Sequence, residues 1–567
     1  MKLLRIIAPM RLHKNSSPSR GRAMQICKWL VGAAAFFCLG GCMKVGPNYH
    51  PPETKMPDNF IASSAETQKS AENNGNQPVI DAAKWWQALN DQELNSLIDR
   101  AIKANPDIGI ALYRLQEARE QEIIVMGGAL PFGEASGGGG WGNGSDLSRG
   151  RAPNALYSSD NAKVPVTYDV KGKPTTTTVT FNQVTDVIGF DFRWELDLWG
   201  KYRRAIEAAK YDTQAAIEIR NFVLISVIAD VARAYVDMRA YQMQLAVLLQ
   251  NIDVAREYLD LTQKRFDNGI TNELDLTLAQ RQLATLQAQK MPLVEQIHAA
   301  QNVLAVFIGQ FPEDLVKELE KPAMIPPLPE KIQAGLPLDL LRRRPDIRAV
   351  ERTLAGATAR IGVAEGDLFP HVSIVGSDGW QQLALGQTAG APTSITTSVW
   401  SFGPSAGWAL LDFGALDALV EIADLRTCEA LLLYKKTVLN AVSDVDTSLG
   451  SYAAQQERLH SLDEALTASQ RAVSLATQRY DRGLTDALNV VDAERQEYDL
   501  EAQYVLSQKE EADQFIALYK ALGGGWEQYQ SFPPARTPLP AVLAAFKRLA
   551  EPDETKKCEW VVERPTP

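Results

Sequence analysis

The feature that most limits how this chain can fold is that it is written twice. Trp194-Glu-Leu-Asp-Leu-Trp-Gly200 matches Trp408-Ala-Leu-Leu-Asp-Phe-Gly414 at a numbering offset of 214. Arg265-Phe-Asp-Asn-Gly-Ile-Thr271 matches Arg479-Tyr-Asp-Arg-Gly-Leu-Thr485 at the same offset, and Ala279, Arg281 and Gln282 match Ala493, Arg495 and Gln496. Self-similarity at one offset across separated landmarks means a repeated structural unit. Upstream, Asn105-Pro-Asp-Ile108 parallels Arg344-Pro-Asp-Ile347 at an offset of 239. The difference, 239 less 214, puts 25 extra residues in the first half, and the Gly-, Ser-, Asn-, Pro- and Thr-rich stretch 145–180 accommodates them. The predicted repeats run over 89–320 and 321–530 of the 567 residues.

Both halves share one predicted layout. A short helix (91–103; 337–343) precedes a helix with Pro in its first turn (106–125; 345–365), where the missing N–H costs nothing. Two strands, a very long helix, a Gly turn and another helix follow. No Pro occurs from Thr175 to Met291 or from Ser405 to Phe532, so 200–266 reads as a single unbroken helix. At 1.5 Å per residue its length is roughly 100 Å. Leu224, Ile228, Val231, Tyr235, Met238, Leu245, Leu249, Ile252 and Leu259 recur at steps of three and four, with gaps at Gln242 and Arg256. Such spacing makes a coiled-coil-like seam.

The strands carry the second constraint. Phe190, Phe192, Trp194, Leu196 and Leu198 alternate with Asp191, Arg193, Glu195 and Asp197, so one face is apolar and aromatic and the other charged. Trp400, Phe402, Ala406, Trp408 and Leu410 form the like face of 399–411, with a partner at Val372–Gly376 and a Gly-rich strand near 130–144. A soluble sheet with its apolar face on a core would do this, and so would a membrane barrel with lipid outside and water within. About four strands cannot close a barrel, because single-chain barrels begin near eight. An open edge in lipid leaves backbone groups unpaired at several kcal/mol each. The strands are therefore soluble, or several chains share one barrel; three copies give twelve strands under cyclic symmetry.

The N-terminus reads as an export signal. Met24 to Lys28 is a short basic start, Trp29 to Leu39 an apolar run too short to span a bilayer, and Leu39-Gly40-Gly41-Cys42 follows. Small residues before a Cys resemble a bacterial lipobox, which implies cleavage after residue 41 and acylation of Cys42; the alternative is an ordinary signal peptide with a chance Cys. Met43, rather than Asp, favours the outer over the inner membrane. Residues 42–88 read as a Pro-rich tether and 531–567 as a C-terminal tail. The true start is Met1 or Met24.

The charges, 58 Lys and Arg against 69 Asp and Glu, argue against nucleic acid as a partner. Five Cys and five His show no zinc spacing, and no cofactor or metal is expected. The Gly137–Gly144 stretch is followed by no Gly-Lys-Ser/Thr, which speaks against a phosphate loop. No nucleophile–base pair supports an enzyme.

These landmarks together resemble the TolC-like outer-membrane factors, in the lipoprotein (NodT-type) branch of efflux channels. The matching residues include Gly335-Leu-Pro-Leu-Asp-Leu-Leu-Arg-Arg-Arg-Pro-Asp-Ile347, Leu368-Phe-Pro370, Trp194–Gly200 and the two Arg–aromatic–x–x–Gly turns. The resemblance implies an α+β, internally duplicated protomer of a homotrimer. Its 12-stranded outer-membrane β-barrel would be continued by a long periplasmic α-helical barrel. A periplasmic adaptor and an inner-membrane efflux pump are the implied partners, with outer-membrane lipid around the barrel. The turns hold Gly269 and Gly483, suited to left-handed helix ends, and Thr271 and Thr485, suited to capping. The resemblance makes them adaptor-docking tips; the plainer reading is hairpin turns. It also implies a gate of Asp492, Arg479 and Tyr480, where Leu278 holds the position of Asp492 in the first repeat. Its alternative is a solvated helix surface. A lipid-anchored periplasmic scaffold or adaptor without a pore is the competing function. The exported substrate, the particular pump and adaptor, and the roles of the 145–180 loop, Cys428 and Cys558 are not legible.

Overall fold

The computed structural model describes residues 44–53, 81–143, 182–329, 342–386, 393–482, 484, 485 and 487–529. The signal segment, Cys42, the 145–180 loop, Gly483 and the tail lie outside the described residues. So does the expected helix at 337–343, apart from the helical pair Arg342 and Arg343.

The first repeat runs α1 (Gln92–Ala104), α2 (Pro106–Gly128), β1 (Phe132–Asn143), β2 (Asn182–Leu196), α3 (Lys201–Asp267), α4 (Glu273–Phe307) and α5 (Pro312–Glu318). The second runs α6 (Pro345–Gly366), β3 (His371–Gly386), β4 (Thr393–Gly407), α7 (Ala415–Asp481) and α8 (Ala487–Ala521). Helices α3 and α7 both have 67 residues and α4 and α8 both have 35. Helices α7 and α8 start and stop at the repeat offset from α3 and α4. The duplication reaches the backbone: Gly309 and Gly523, related by the same offset, have φ of +66° and +72°. No described helix is long and apolar enough to cross a membrane.

The chain divides into two compact units, each drawn from both repeats. The strand unit takes 127–205 and 361–420 with the N-terminal residues to Pro47; the helical unit takes the rest.

In the strand unit, β1, β2, β3 and β4 form one antiparallel sheet in chain order. The register puts Ile188, Phe190, Phe192 and Trp194 on one face with Ile374, Trp380, Trp400 and Phe402. Phe190 is 50% exposed, Trp400 74% and Phe402 71%, so this apolar face covers no core among the described residues. The opposite face carries Glu134, Asp191, Arg193, Ser377 and Ser401, the two serine hydroxyls 2.8 Å apart, with exposed Phe132 and Val375 in register on either side of Arg193, so it is mainly but not wholly polar. The glycines of β1 explain its weak sequence signal, because glycine has no side chain to alternate. At Gly133 a neighbour fills the space, where a Cβ would sit 2.6 Å from the Phe190 ring, whereas nothing lies within 4 Å of a Cβ at Gly138.

Three details differ from the sequence reading. Leu198 lies beyond β2, and Trp408 and Leu410 lie beyond β4, because both strands end where the chain turns into the long helices. The apolar face is not unbroken, since Asp378 pairs in register with Phe190 and Trp400. In α3, Leu248 takes the buried position expected of Leu249, and the gap at Gln242 is a buried side chain donating to the Leu319 carbonyl at 2.9 Å.

The Trp–Gly landmark begins each long helix. Asp197 accepts from the N–H groups of Tyr202 and Arg203 at 3.1 and 3.0 Å. Asp412, one register position later, accepts from Leu416 and Gly414 at 2.8 and 3.3 Å, and these N–H groups hold its carboxyl below the ordinary value. A carboxylate at a helix N-terminus meets both the free N–H groups and the positive end of the dipole.

In the helical unit the core gathers α1, α3, α4, α7 and α8 around Trp85 and Trp86, which are 1% and 2% exposed. The expected tether thus ends in a folded 3₁₀ segment, Ala82–Leu89, with Trp85 stacked on Tyr519 at 5.8 Å. The Pro-Asp-Ile landmarks prove to be equivalent clasps. Asn105 donates to the Phe307 carbonyl at 2.9 Å and Arg344 to the Ala521 carbonyl at 2.9 Å. Those two carbonyls are related by the repeat offset and end α4 and α8. Each is a carbonyl that its helix leaves without a partner.

Candidate functional site

The tips where α3 meets α4 and α7 meets α8 hold most of the predicted site. At the first, Gly269 has φ +70°, its N–H bonds the Phe266 carbonyl at 2.9 Å, and the Ile270 N–H bonds the Arg265 carbonyl at 2.8 Å. This is a left-handed helix end. The cap of α4 is Asn272, which accepts from the Asp275 N–H at 2.9 Å, rather than Thr271. The Thr271 hydroxyl instead donates to the Asp275 carboxylate.

The second tip repeats the Leu484 N–H to Arg479 carbonyl bond at 2.9 Å. Thr485 accepts from the Asn489 side chain at 2.5 Å, and Gly483 lies outside the described residues.

Among the described residues the chain does not bring the three gate residues together. Asp492 is exposed and accepts from Gln496 on its own helix at 2.9 Å. Among the described residues no ion pair joins it to Arg479, which is also exposed. Tyr480 faces the first repeat instead: the Arg265 guanidinium lies 4.3 Å from its ring centre and the Tyr258 ring 6.5 Å away. A cation over an aromatic face contributes about 0.5–1 kcal/mol at exposed sites. The contact joins the end of α3 to the end of α7, so the two tips are one structure.

Two groups there escaped the sequence reading. Burial and the neighbouring Glu497 push the Glu494 carboxyl up to about 7. Burial pushes Tyr258 up to about 12, and its hydroxyl is buried with no partner among the described residues. Arg265 was visible as a repeated residue, but only the fold shows that it reaches Tyr480. Glu494 replaces Gln280 of the first repeat, a difference that the same offset would have displayed.

Lower on the hairpins, Leu248, Ile252, Ala255 and Leu286 form a small separate core. Asn251 donates to Glu501 at 3.2 Å and Tyr498 to Gln289 at 2.6 Å, joining α3 to α8 and α8 to α4.

The described residues hold no cluster of metal-ligating side chains. What this arrangement offers is a sheet with an uncovered apolar face, a polar opposite face and paired long hairpins with matched tips. Comparison with known proteins gives that arrangement its family. The profile of the outer membrane efflux proteins matches residues 97–310 and 336–524, once in each repeat.

The chain belongs to that family.

Nodulation protein T of Rhizobium leguminosarum bv. trifolii is 30% identical over 488 residues, which are 86% of this chain and 95% of that protein. The toluene efflux pump outer membrane protein TtgI of Pseudomonas putida is 29% identical, over 88% of this chain and 98% of that one. The outer-membrane channel OprN superposes with a TM-score of 0.71 at 31% identity, covering 85% of this chain and 99% of that one. The Campylobacter jejuni CmeC outer membrane channel shares the fold, with a TM-score of 0.70 at 20% identity. This efflux protein is thus an outer-membrane channel component with a large periplasmic portion, and the pore-free scaffold reading gives way to the channel.

Proposed function

We propose that the chain is the passive conduit of a tripartite efflux system, assembled as a homotrimer and joined through a periplasmic adaptor to an inner-membrane pump. The observation that carries this is the sheet: four strands whose outer members, β1 and β4, pair on one side only among the described residues. In lipid those edges are not tolerated, and three copies edge to edge give a closed barrel of twelve strands. The apolar face then meets lipid and the polar face lines water. Native mass measurement of the detergent-extracted protein should give a trimer, and a stable monomer with its strands intact would remove the proposal.

In this reading Cys42 carries the lipid anchor, and the tips at Gly269, Thr271, Gly483 and Thr485 dock the adaptor. The cargo is small organic molecules, the class to which the toluene of the P. putida relative's name belongs. Asp492 sits at the second tip only, so threefold symmetry makes it a ring of three carboxylates. Arg479 and Tyr480 lie at the end of the facing helix. A carboxylate ring at a constriction favours cations and can be held shut by neighbouring arginines. Planar-bilayer recordings test this. Asp492→Ala combined with Arg479→Ala should raise resting conductance and weaken cation selectivity, while Leu278→Ala leaves both near the parent. Equal traces in all three would remove the gate and leave the channel.

A further inference from the structure

The segment that follows Cys42 is gripped. Val45 is 8% exposed, and its N–H donates to the Trp199 carbonyl at 3.0 Å. Arg204, 1% exposed, donates from Nε to the Val45 carbonyl at 2.8 Å and from Nη2 to the Gly46 carbonyl at 2.7 Å. A guanidinium this deep is costly unless its donors are used; two of its bonds go to one dipeptide of the N-terminal segment, and bonds from a charged donor are among the stronger ones. Two glycines close the contact. Gly46 has φ +82°, and a Cβ there would lie 2.4 Å from the Cα of Gly362. A Cβ on Gly362 would lie 2.6 Å from the Val45 carbonyl oxygen and 2.8 Å from Cγ of Arg204. Neither position has room for a side chain, and most of the surrounding atoms are backbone, which does not swing aside.

We propose that Val45 and Gly46 form a latch, seated in a socket made by Arg204, the Trp199 carbonyl and Gly362. The folded strand unit thereby holds the N-terminal segment non-covalently. It also fixes the place at which the acyl lipid on Cys42 meets the membrane, a clause that rests on the acylation proposed above. Three peptide steps lead from Cys42 to Val45, and an extended chain spans at most about 3.6 Å per residue, so the lipid starts within about 11 Å of the latch. The socket lies where β2 gives way to α3 and α6 to β3, at one end of the sheet. A loose tether would let anchor and strands enter the membrane independently; the latch makes them one body during insertion.

The test cuts the tether. In the full-length chain a site-specific protease sequence is placed between Ala65 and Glu66, in a Tyr49→Ala background that removes the hydroxyl contact to Glu351 (3.3 Å). Cells are labelled with palmitate, and the protein is purified in mild detergent, cleaved and gel-filtered. The N-terminal fragment should remain with the channel. Gly46→Val, which alters only the fragment, should speed its loss by about tenfold or more, the change expected when a contact of about 1.4 kcal/mol is removed. Arg204→Met should do the same from the socket side. Comparison with Gly46→Val cancels retention by a shared micelle, and it suffices if Arg204→Met does not fold. A parent fragment lost as fast as the Gly46→Val fragment overturns the latch. A fragment retained but unlabelled overturns acylation and leaves the latch standing; one labelled but released does the reverse.

Discussion

Glu494 ties the tips to pH. Its carboxyl, ordinarily at 4.5, is pushed up to about 7 by burial and by Glu497. Below about 4.5 it is protonated folded or unfolded, and stability is at its fullest. Between 4.5 and about 7 the unfolded chain releases a proton that the folded tip keeps, so stability falls as pH rises. Above that both forms are ionised, and the tip carries a charge that it would rather not bury. Amide exchange around α8, corrected for intrinsic rates, should therefore quicken from pH 5 to pH 8, and Glu494→Gln should flatten the profile. Glu497→Gln should move its midpoint down by removing the neighbouring carboxylate. An unchanged profile in Glu494→Gln would assign the pH response to other groups. Arg265→Ala should loosen the same region by about 0.5–1 kcal/mol through loss of the contact over Tyr480.

Among the elements, two glycines at equivalent helix ends make a sharper comparison than either alone. Gly269 and Gly309 both have left-handed backbone, yet nothing lies within 4 Å of a Cβ at Gly269, whereas one at Gly309 would lie 2.5 Å from the Ala104 carbonyl oxygen. Gly269→Ala should cost only the strain of the left-handed turn, about 1–2 kcal/mol. Gly309→Ala should cost clearly more, and a thermal melt of the detergent-extracted protein would rank them. Asp378, in register between Phe190 and Trp400, makes the opposite prediction. On a lipid-facing strand Lys or Arg costs about 2–4 kcal/mol at mid-bilayer and about 0–1 near the interface, and Asp costs less but still destabilises. Asp378→Leu should therefore leave the melting temperature unchanged or raise it. These elements also show what could be read in advance. The long helices were legible because Pro is absent and the repeat is ungapped, and β2 because its faces alternate. Strand β1 was nearly silent because glycine has no side chain to alternate. Trp85 and Trp86 were lost in a Pro-rich segment, since Trp85 packs on Phe515 and Tyr519, which arrive only with α8 in the second repeat, and Trp86 packs on Trp85. Of the site, the turn geometry was visible in Gly269, but the reach of Arg265 to Tyr480 was not, because no local pattern encodes which side chains from two helices meet.

For the molecule as a whole, the equal lengths of α3 and α7 and of α4 and α8 are a statement about measurement. Each helical residue adds about 1.5 Å and about 100° of rotation. Deleting one residue from α3 would both retract its tip and turn the Arg265 side chain away from Tyr480. Chain length here is therefore a ruler, carried twice and readable only when the two copies agree. The smallest change that respects it removes seven residues, about two turns, from all four helices together, shortening each by roughly 10 Å while keeping its seam in phase. Such a channel should fold and assemble yet fail to meet partners set at the original distance, and the same deletion in α3 and α4 alone should not assemble.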